Sequence, residues 1–171
     1  CSATSTRWAV SASTTSGQRA RAATTTTEAM VESNSWWAWV CDDDPVLPRC
    51  NAASSQGSGT TSSPFLVNHR PVISSFTNNS PTLPGASVLF TSSSPDPDIV
   101  SAPDTVKLFV CSTNAFSTTT QSCTATTLAT STFVASNATG SYPITIPTQD
   151  QNYNAFGFIV DNHGHDASPQ G

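Results

Sequence analysis

The chain contains very few of the residues from which surface helices are built. It has one Lys, one Met and two Glu in 171 residues, whereas Ser and Thr together occupy 53 positions. Helical surfaces depend on Ala, Leu, Glu, Lys and Arg, whereas Thr, Val, Phe and Trp suit the pleated surface of a sheet. Twelve Pro residues also interrupt the sequence along its length. The composition therefore predicts an all-β protein.

The low charge excludes several classes of protein. Charged residues make up only 10% of the chain, the net charge is −5 and the pI is about 4.8. Nucleic-acid binding as a main function is excluded because it requires clustered Lys or Arg. No apolar run approaches the roughly 20 residues of a membrane-spanning helix. Apolar residues make up 36% of the chain and include four Trp and eight Phe, which does not fit intrinsic disorder.

Four of the five cysteines form two close pairs. Cys41 and Cys50 bracket one short polar loop, and Cys111 and Cys123 bracket another. Each spacing fits a disulfide that joins a strand end to the following loop, contributing about 2–3 kcal/mol in the loop-entropy model. A zinc site would need CxxC or Cys/His clusters, which neither pair provides. Disulfides indicate an oxidising compartment, so we expect an extracellular or cell-surface protein without a metal of this kind.

Three positions are candidates for covalent modification. Cys1, followed by Ser and Ala, is similar to the lipid-bearing cysteine of a processed bacterial lipoprotein. An artificial start of the chain, a free thiol or an intermolecular disulfide would explain Cys1 equally well. Asn78 and Asn137 begin Asn-x-Ser/Thr sequons in stretches typical of turns. The sequence thus predicts a candidate lipid anchor and candidate glycan sites, although such short sequons also arise by chance.

Turn signals divide the chain into two units near 68–71. Unit 1 (1–68) has predicted strands at 6–11, 35–41 and 64–68, with weak alternation between 18 and 31. Unit 2 (69–171) has short predicted strands separated by Pro, Gly, Asn and Asp turns, which indicates an antiparallel sandwich. These strands are expected at 72–77, 87–92, 105–111, 124–129, 131–136, 142–146 and 153–161.

Several of these segments resemble a known kind of domain. They are Arg-Pro at 70–71, Pro-Gly-Ala-Ser-Val-Leu-Phe at 84–90, Ser-Pro-Asp-Pro-Asp at 94–98, Asp-Thr-Val-Lys-Leu-Phe-Val-Cys at 104–111 and Tyr-Asn-Ala-Phe-Gly-Phe-Ile-Val-Asp-Asn-His-Gly at 153–164. Together they resemble bacterial extracellular immunoglobulin-like domains. The segment Ser-Trp-Trp-Ala-Trp-Val-Cys-Asp at 35–42 is similar to a strand of fibronectin type III-like repeats. The resemblance implies two tandem antiparallel β-sandwich units of the kind found in bacterial stalks, adhesins and filament subunits.

Both units lack strands of a complete domain of this family, but at opposite ends. A complete domain of this kind has about seven strands, whereas unit 1 offers about four. If 35–41 and 64–68 are its last two strands, its opening strands are largely missing, and unit 2 lacks an apolar strand after Asp161. The stretch 1–15, with Arg7, Trp8 and Val10, is strand-like and could complete unit 2 of an adjacent copy by strand addition. Head-to-tail donation would produce a homopolymer. Alternatively, this stretch is the first strand of its own domain, or the chain is a fragment of a longer repeat protein.

The residues that could bind a ligand also have structural explanations. Asp96, Asp98 and Asp161 could supply oxygen ligands to Ca²⁺ if their turns meet at one end of the sandwich. The same residues are ordinary turn formers, which is the favoured explanation. Serine and histidine occur without a Gly-x-Ser-x-Gly motif, so we expect no enzyme. No other cofactor is expected.

Three tryptophans lie in one predicted strand. Trp36 falls on one face, and Trp37 and Trp39 fall on the other, so at least one ring is expected to face outward. An exposed indole ring can stack on a sugar, but it could also contact another subunit or pack beneath a glycan. The favoured function is a structural subunit of an extracellular bacterial fibre or surface appendage. The alternative is an adhesin or carbohydrate-binding module of a larger cell-surface protein.

Overall fold

The computed structural model describes residues 7, 9–12, 19–47, 49–58, 62–100, 104–144 and 151–167. Within these ranges the chain forms strands and turns and contains no helix, which confirms the predicted all-β class. Accordingly, none of the described segments is a helix long and apolar enough to cross a membrane. The chain divides into unit 1, Cys1–Val67, and unit 2, Asn68–Gly171.

Ten strands are numbered along the chain. Unit 1 contains β1 (Ser33–Asn34) and β2 (Phe65–Leu66). Unit 2 contains β3 (Ser75–Asn78), β4 (Ser87–Ser93), β5 (Val106–Cys111), β6 (Phe116–Ser117), β7 (Ser122–Cys123), β8 (Thr127–Thr130), β9 (Thr139–Pro143) and β10 (Phe156–Asp161).

Unit 2 is a sandwich of two three-stranded antiparallel sheets. One sheet has the order β3-β4-β9 and the other has the order β10-β5-β8. Exposed and more buried residues alternate along β4, as expected when one face packs on the core and the other faces solvent. The apolar core between the sheets contains Ile73, Phe90, Val106, Leu108, Val110, Ala129, Ala138, Ile159 and Ala167.

The central strand β5 is buried on both faces. Val106, Leu108 and Val110 pack into the core between the sheets, whereas Phe109 and Cys111 pack on the opposite side of the sheet. The paired strand β10 has the same character, since each of its residues is buried or half-buried. The sequences of both strands are therefore nearly continuous apolar runs rather than alternating patterns.

A disulfide-bonded hairpin covers the outer face of this sheet. Strands β6 and β7 pair with each other, and the bond from Cys111 to Cys123 ties the hairpin to β5. Phe116 lies between two rings of the sheet, with its centroid 5.1 Å from that of Phe109 and 5.0 Å from that of Phe158. The segment between the two cysteines is therefore a packed cover, although it was expected to be a polar loop.

Other strands of unit 2 also differ from the prediction, and β9 begins three residues before the expected 142–146. The segment 131–136 is not a strand, and Val134 forms only an isolated bridge with Val106. The Ser131 hydroxyl nearby accepts a hydrogen bond from the Leu108 amide at 2.9 Å. A side chain here replaces a backbone acceptor, so the ladder does not continue in regular form. The strand expected at 124–129 is present as the shorter β8, which begins three residues later and ends one residue later.

Unit 1 is a two-stranded ribbon in its described part. Antiparallel pairing occurs at Ser33 with Leu66, at Ala38 with Ser55 and at Cys41 with Cys50. The bond between Cys41 and Cys50 closes the end of the ribbon.

The described residues of unit 1 do not form the partial sandwich expected at 1–68. The predicted strand at 35–41 is reduced to isolated bridges. Val67 is the one large apolar residue in the described part of unit 1 that is buried, at 7% exposure. A sandwich needs an apolar face on each of two sheets, and this ribbon exposes Trp37, Val40 and Val46 instead.

The two sheets of unit 2 approach closely at Gly157, which yields a test of the packing. A Cβ atom added to Gly157 would lie 2.7 Å from the Phe76 ring. We expect Gly157→Ala to lower the free energy of unfolding by about 1–3 kcal/mol through overpacking. Urea denaturation of the single variants and of Gly157→Ala with Phe76→Leu measures the coupling between the two positions. The smaller leucine should reduce the cost of Gly157→Ala, and strictly additive effects would contradict the proposed contact.

Candidate metal centre in unit 2

Four segments meet at one end of the sandwich of unit 2. Asp161 at the end of β10 pairs with Val106 at the start of β5, which places the turn after β10 beside the residues that precede β5. The Asn162 and Thr105 backbones join these segments through a 2.9 Å hydrogen bond. The loop after β4 and the first residues of unit 2 complete the group, and both contribute the contacts described below.

Asp161 organises the turn that follows β10. Its Oδ1 atom accepts hydrogen bonds from the backbone amides of His163 and His165, at 2.9 and 2.7 Å. Its Oδ2 atom accepts one from the Asn68 side-chain amide at 2.8 Å. The residue has no exposed surface. A buried carboxylate with three donors is satisfied without an ion, so Asp161 acts as a cap for this turn.

Two further buried carboxylates are each paired with a histidine. Asp98 is 4% exposed and Asp104 is 8% exposed. The His69 Nδ1 atom lies 2.6 Å from Asp98 Oδ1, and the His69 amide donates to Asp98 Oδ2. The His163 Nδ1 atom lies 2.8 Å from Asp104 Oδ2. These contacts hold both carboxylates in place.

Asp96 is the least satisfied acid of the group. Its Oδ1 atom accepts a hydrogen bond from the Asp98 amide at 2.9 Å, but its Oδ2 atom is buried and has no hydrogen-bond partner among the described residues. Burial raises the pKa of the Asp96 carboxyl, against the opposing effect of the Asp98 amide. The negative charges of Asp104, Asp98 and Asp161 raise this pKa further. Ionised Asp96 is therefore unfavourable here without a compensating positive charge.

Two groups of ligand atoms share Asp104. One oxygen each from Asp96, Asp98 and Asp104 lie within 4.8 Å of one another, and so do ligand atoms of Asp104, Asp161 and His163. Ca²⁺ binds oxygen at about 2.3–2.6 Å, so oxygens on opposite sides of the ion are about 5 Å apart. The all-oxygen group fits such a hard cation, and the unpartnered Asp96 oxygen supports this fit. The second group is less suitable because Asp161 already accepts three hydrogen bonds.

The structure thus brings together part of the predicted calcium set. Asp96 and Asp98 lie in one ligand group, whereas Asp161 is hydrogen-bonded as a turn cap. The sequence did not point to Asp104 as a member of this group, nor to the pairing of His69 with Asp98 and of His163 with Asp104. The position of Asp104 directly before a continuous apolar strand was a usable signal, because strand ends on the same side of a sheet place their flanking residues close together.

The other predicted site residues do not converge in the described part of the chain. Trp36 is half-buried, whereas Trp37 and Trp39 are 53% and 44% exposed. Both sequon residues are exposed, Asn78 in β3 and Asn137 shortly before β9, with φ of 54°. In the predicted donor strand, Arg7 is exposed and Val10 is 68% exposed. Trp8 and Cys1 lie outside the described residues.

Comparisons with protein-family models, curated proteins and solved structures found no match for this chain. The resemblance to bacterial immunoglobulin-like domains therefore stays a prediction from the sequence. The function has to be argued from the geometry of the two units.

The role of Asp161 as a cap can be tested by comparison with a neighbouring acid. Asp161→Ala leaves two backbone amides and the Asn68 amide without their acceptor, so we expect the free energy of unfolding to fall by about 2–4 kcal/mol. Asp166→Ala removes an ion pair with Arg70 whose side chains are 58% and 30% exposed, and should cost less than about 1 kcal/mol. Urea denaturation measures both changes, and equal losses would contradict the capping role.

Proposed function

We propose that the chain is a structural subunit of an extracellular bacterial fibre or surface appendage. Copies assemble head-to-tail by β-strand complementation of unit 2. The two disulfides, Cys41–Cys50 and Cys111–Cys123, support a place in an oxidising compartment. The observation that carries the proposal is the outer edge of β10.

The outer edge of β10 is paired only near one end in the described part of the chain. Asp161 donates to the His165 carbonyl, and Ile159 accepts from the Ala167 amide, both at 2.9 Å. These contacts show that alternate residues of β10 direct their amide and carbonyl groups away from β5. Gly157 has the same orientation by this alternation, and no described residue pairs with its amide or carbonyl.

An unpaired edge is costly for this strand in particular. Residues of β10 pack on both faces of the sheet, including Phe158 on one side and Ile159 on the other. Gly157 is itself buried. Backbone groups in such surroundings need partners, and an added strand would supply them. Among the described residues, pairing at this edge ends with Ala167 beside Ile159, and we propose that the donor strand pairs beside Gly157.

The segment 1–15 is the donor that we propose. Its described residues, Arg7 and 9–12, belong to no strand. Val10 is 68% exposed, so it has an apolar side chain available for a neighbour. The segment contains no Gly or Pro, which favours an extended donor strand. Strand donation from one copy to the next is a heterologous contact. The resulting assembly grows without limit unless it closes into a ring.

Electron microscopy of purified protein tests this assembly. The variant Val10→Pro removes a backbone donor and should reduce the fibre fraction at least tenfold, as should deletion of residues 2–15. Ala20→Pro, in an exposed segment outside the donor strand, serves as the matched control and should form fibres normally. Fibres that persist in the deletion variant would contradict donation by this segment. Monodisperse particles of the unaltered chain would contradict the fibre itself.

A second candidate function is supported by the exposed tryptophans of unit 1. Trp37 and Trp39 are two residues apart, and more than two fifths of each side chain is exposed. Rings spaced in this way on an extended segment project to the same side and can stack on successive sugar rings. This arrangement fits an adhesin or carbohydrate-binding module of a larger cell-surface protein.

Polysaccharide binding distinguishes the second candidate from the first. In this case Trp37→Ala or Trp39→Ala should each lower affinity about tenfold, and polysaccharide should shift the tryptophan fluorescence of the unaltered chain. Val46→Ala, at a side chain that is 89% exposed, is the control for a general loss of apolar surface. Equal binding by all variants, or no binding by the unaltered chain, would contradict a carbohydrate function.

A further inference from the structure

We propose that unit 2 binds one Ca²⁺ ion through the carboxylates of Asp96, Asp98 and Asp104. This group is called the acidic triad below. The proposal is independent of fibre assembly, because it concerns residues that lie away from the unpaired part of the β10 edge. It also reverses the expectation that these turns need no ion.

The unpartnered oxygen of Asp96 is the observation that points to a ligand. Asp96 Oδ2 is buried and has no hydrogen-bond partner among the described residues, whereas its other oxygen accepts a bond from the Asp98 amide. A buried acceptor without a donor is unfavourable, and more so when it is charged. A bound cation would satisfy this oxygen, together with one oxygen each from the neighbouring Asp98 and Asp104.

The cluster of negative charges at this end of the sandwich also favours a bound cation. The acidic triad and Asp161 place four carboxylates close together, and the negative charges of the other three act on Asp96. In the described part of the chain, His69 lies beside Asp98 and His163 beside Asp104. Arg70, on the same segment as His69, reaches Asp166. The four carboxylates outnumber these two histidines, so a divalent ion would compensate negative charge at this end of the sandwich.

The ligand set favours Ca²⁺ over a transition metal. All three ligand groups of the triad are carboxylates, and hard cations prefer oxygen. The hydrogen bonds from His69 and His163 do not exclude coordination, because each carboxylate has about four lone-pair positions. Ca²⁺ accepts irregular geometry and completes its shell with water and carbonyl oxygens, whereas Mg²⁺ requires a near-ideal octahedron. Two ligands on the loop after β4 and one before β5 fit the more tolerant ion.

Calorimetric titration of the full chain with CaCl₂, after chelator treatment and dialysis, tests the site directly. We expect one Ca²⁺ per chain and, at a concentration about a hundredfold above Kd, a rise in Tm of about 5–10 °C. MgCl₂ at the same concentration should produce a smaller rise. Absence of Ca²⁺ binding by the unaltered chain would overturn the proposal.

The variant Asp96→Asn tests whether Asp96 binds Ca²⁺ or serves only to form its turn. The amide oxygen can still accept the hydrogen bond from the Asp98 amide, so the fold should survive. Without Ca²⁺ this variant should be at least as stable as the unaltered chain, because a buried negative charge is removed. Its Ca²⁺ affinity should fall at least tenfold. Unchanged affinity, or a loss of stability in Ca²⁺-free buffer with the Ca²⁺ response intact, would overturn the assignment of Asp96 as a ligand.

Asp44→Asn provides the matched control. The Asp44 carboxylate accepts hydrogen bonds from the Val46 and Leu47 amides, so it forms the same kind of turn as Asp96, but in the exposed loop of unit 1. Its replacement should leave Ca²⁺ affinity unchanged. A similar loss of affinity in both variants would show that Ca²⁺ responds to overall charge rather than to the acidic triad.

Discussion

The pairing of β5 with β10 is the interaction on which the rest of unit 2 depends. Both strands pack apolar side chains on two faces, so this pair supplies one wall of the core and also the floor beneath the β6–β7 hairpin. Its end brings Asp161 beside the residues that precede β5, which assembles the candidate metal centre. Its outer edge is the surface at which we propose strand addition. The core, the acidic triad and the proposed fibre contact are thus three consequences of one strand pair.

The sequence predicted most of unit 2 and little of unit 1, for a physical reason. Strands such as β4 and β5 have a strong apolar pattern between turn residues, and this local pattern is enough to predict them. The β6–β7 hairpin contains one large apolar residue, Phe116, and packs because Cys111 and Cys123 hold it against the sheet. In unit 1 the run at 35–41 contains three Trp, but the described ribbon offers no second layer to cover them.

The candidate metal centre was only partly predictable because it depends on contacts between distant segments. The turn residues Asp96 and Asp98 are close in sequence and are recognisable as oxygen donors. Their relation to Asp104 depends on the register between β5 and β10, which places the segment before β5 at the same end as the turn after β10. The unpartnered oxygen of Asp96 is a property of packing. No local pattern reports whether an acceptor is buried without a donor.

The two disulfides limit how far this chain can extend when it is pulled from its ends. Cys41 and Cys50 are nine residues apart, and Cys111 and Cys123 are twelve residues apart. At about 3.4 Å per extended residue, the bonds withhold roughly 30 and 40 Å of contour length. The second bond also keeps Phe116 tethered to β5 after the sheet has opened. In a molecule under tension, the hairpin would therefore remain beside its binding surface and shorten the path to refolding when the load is released.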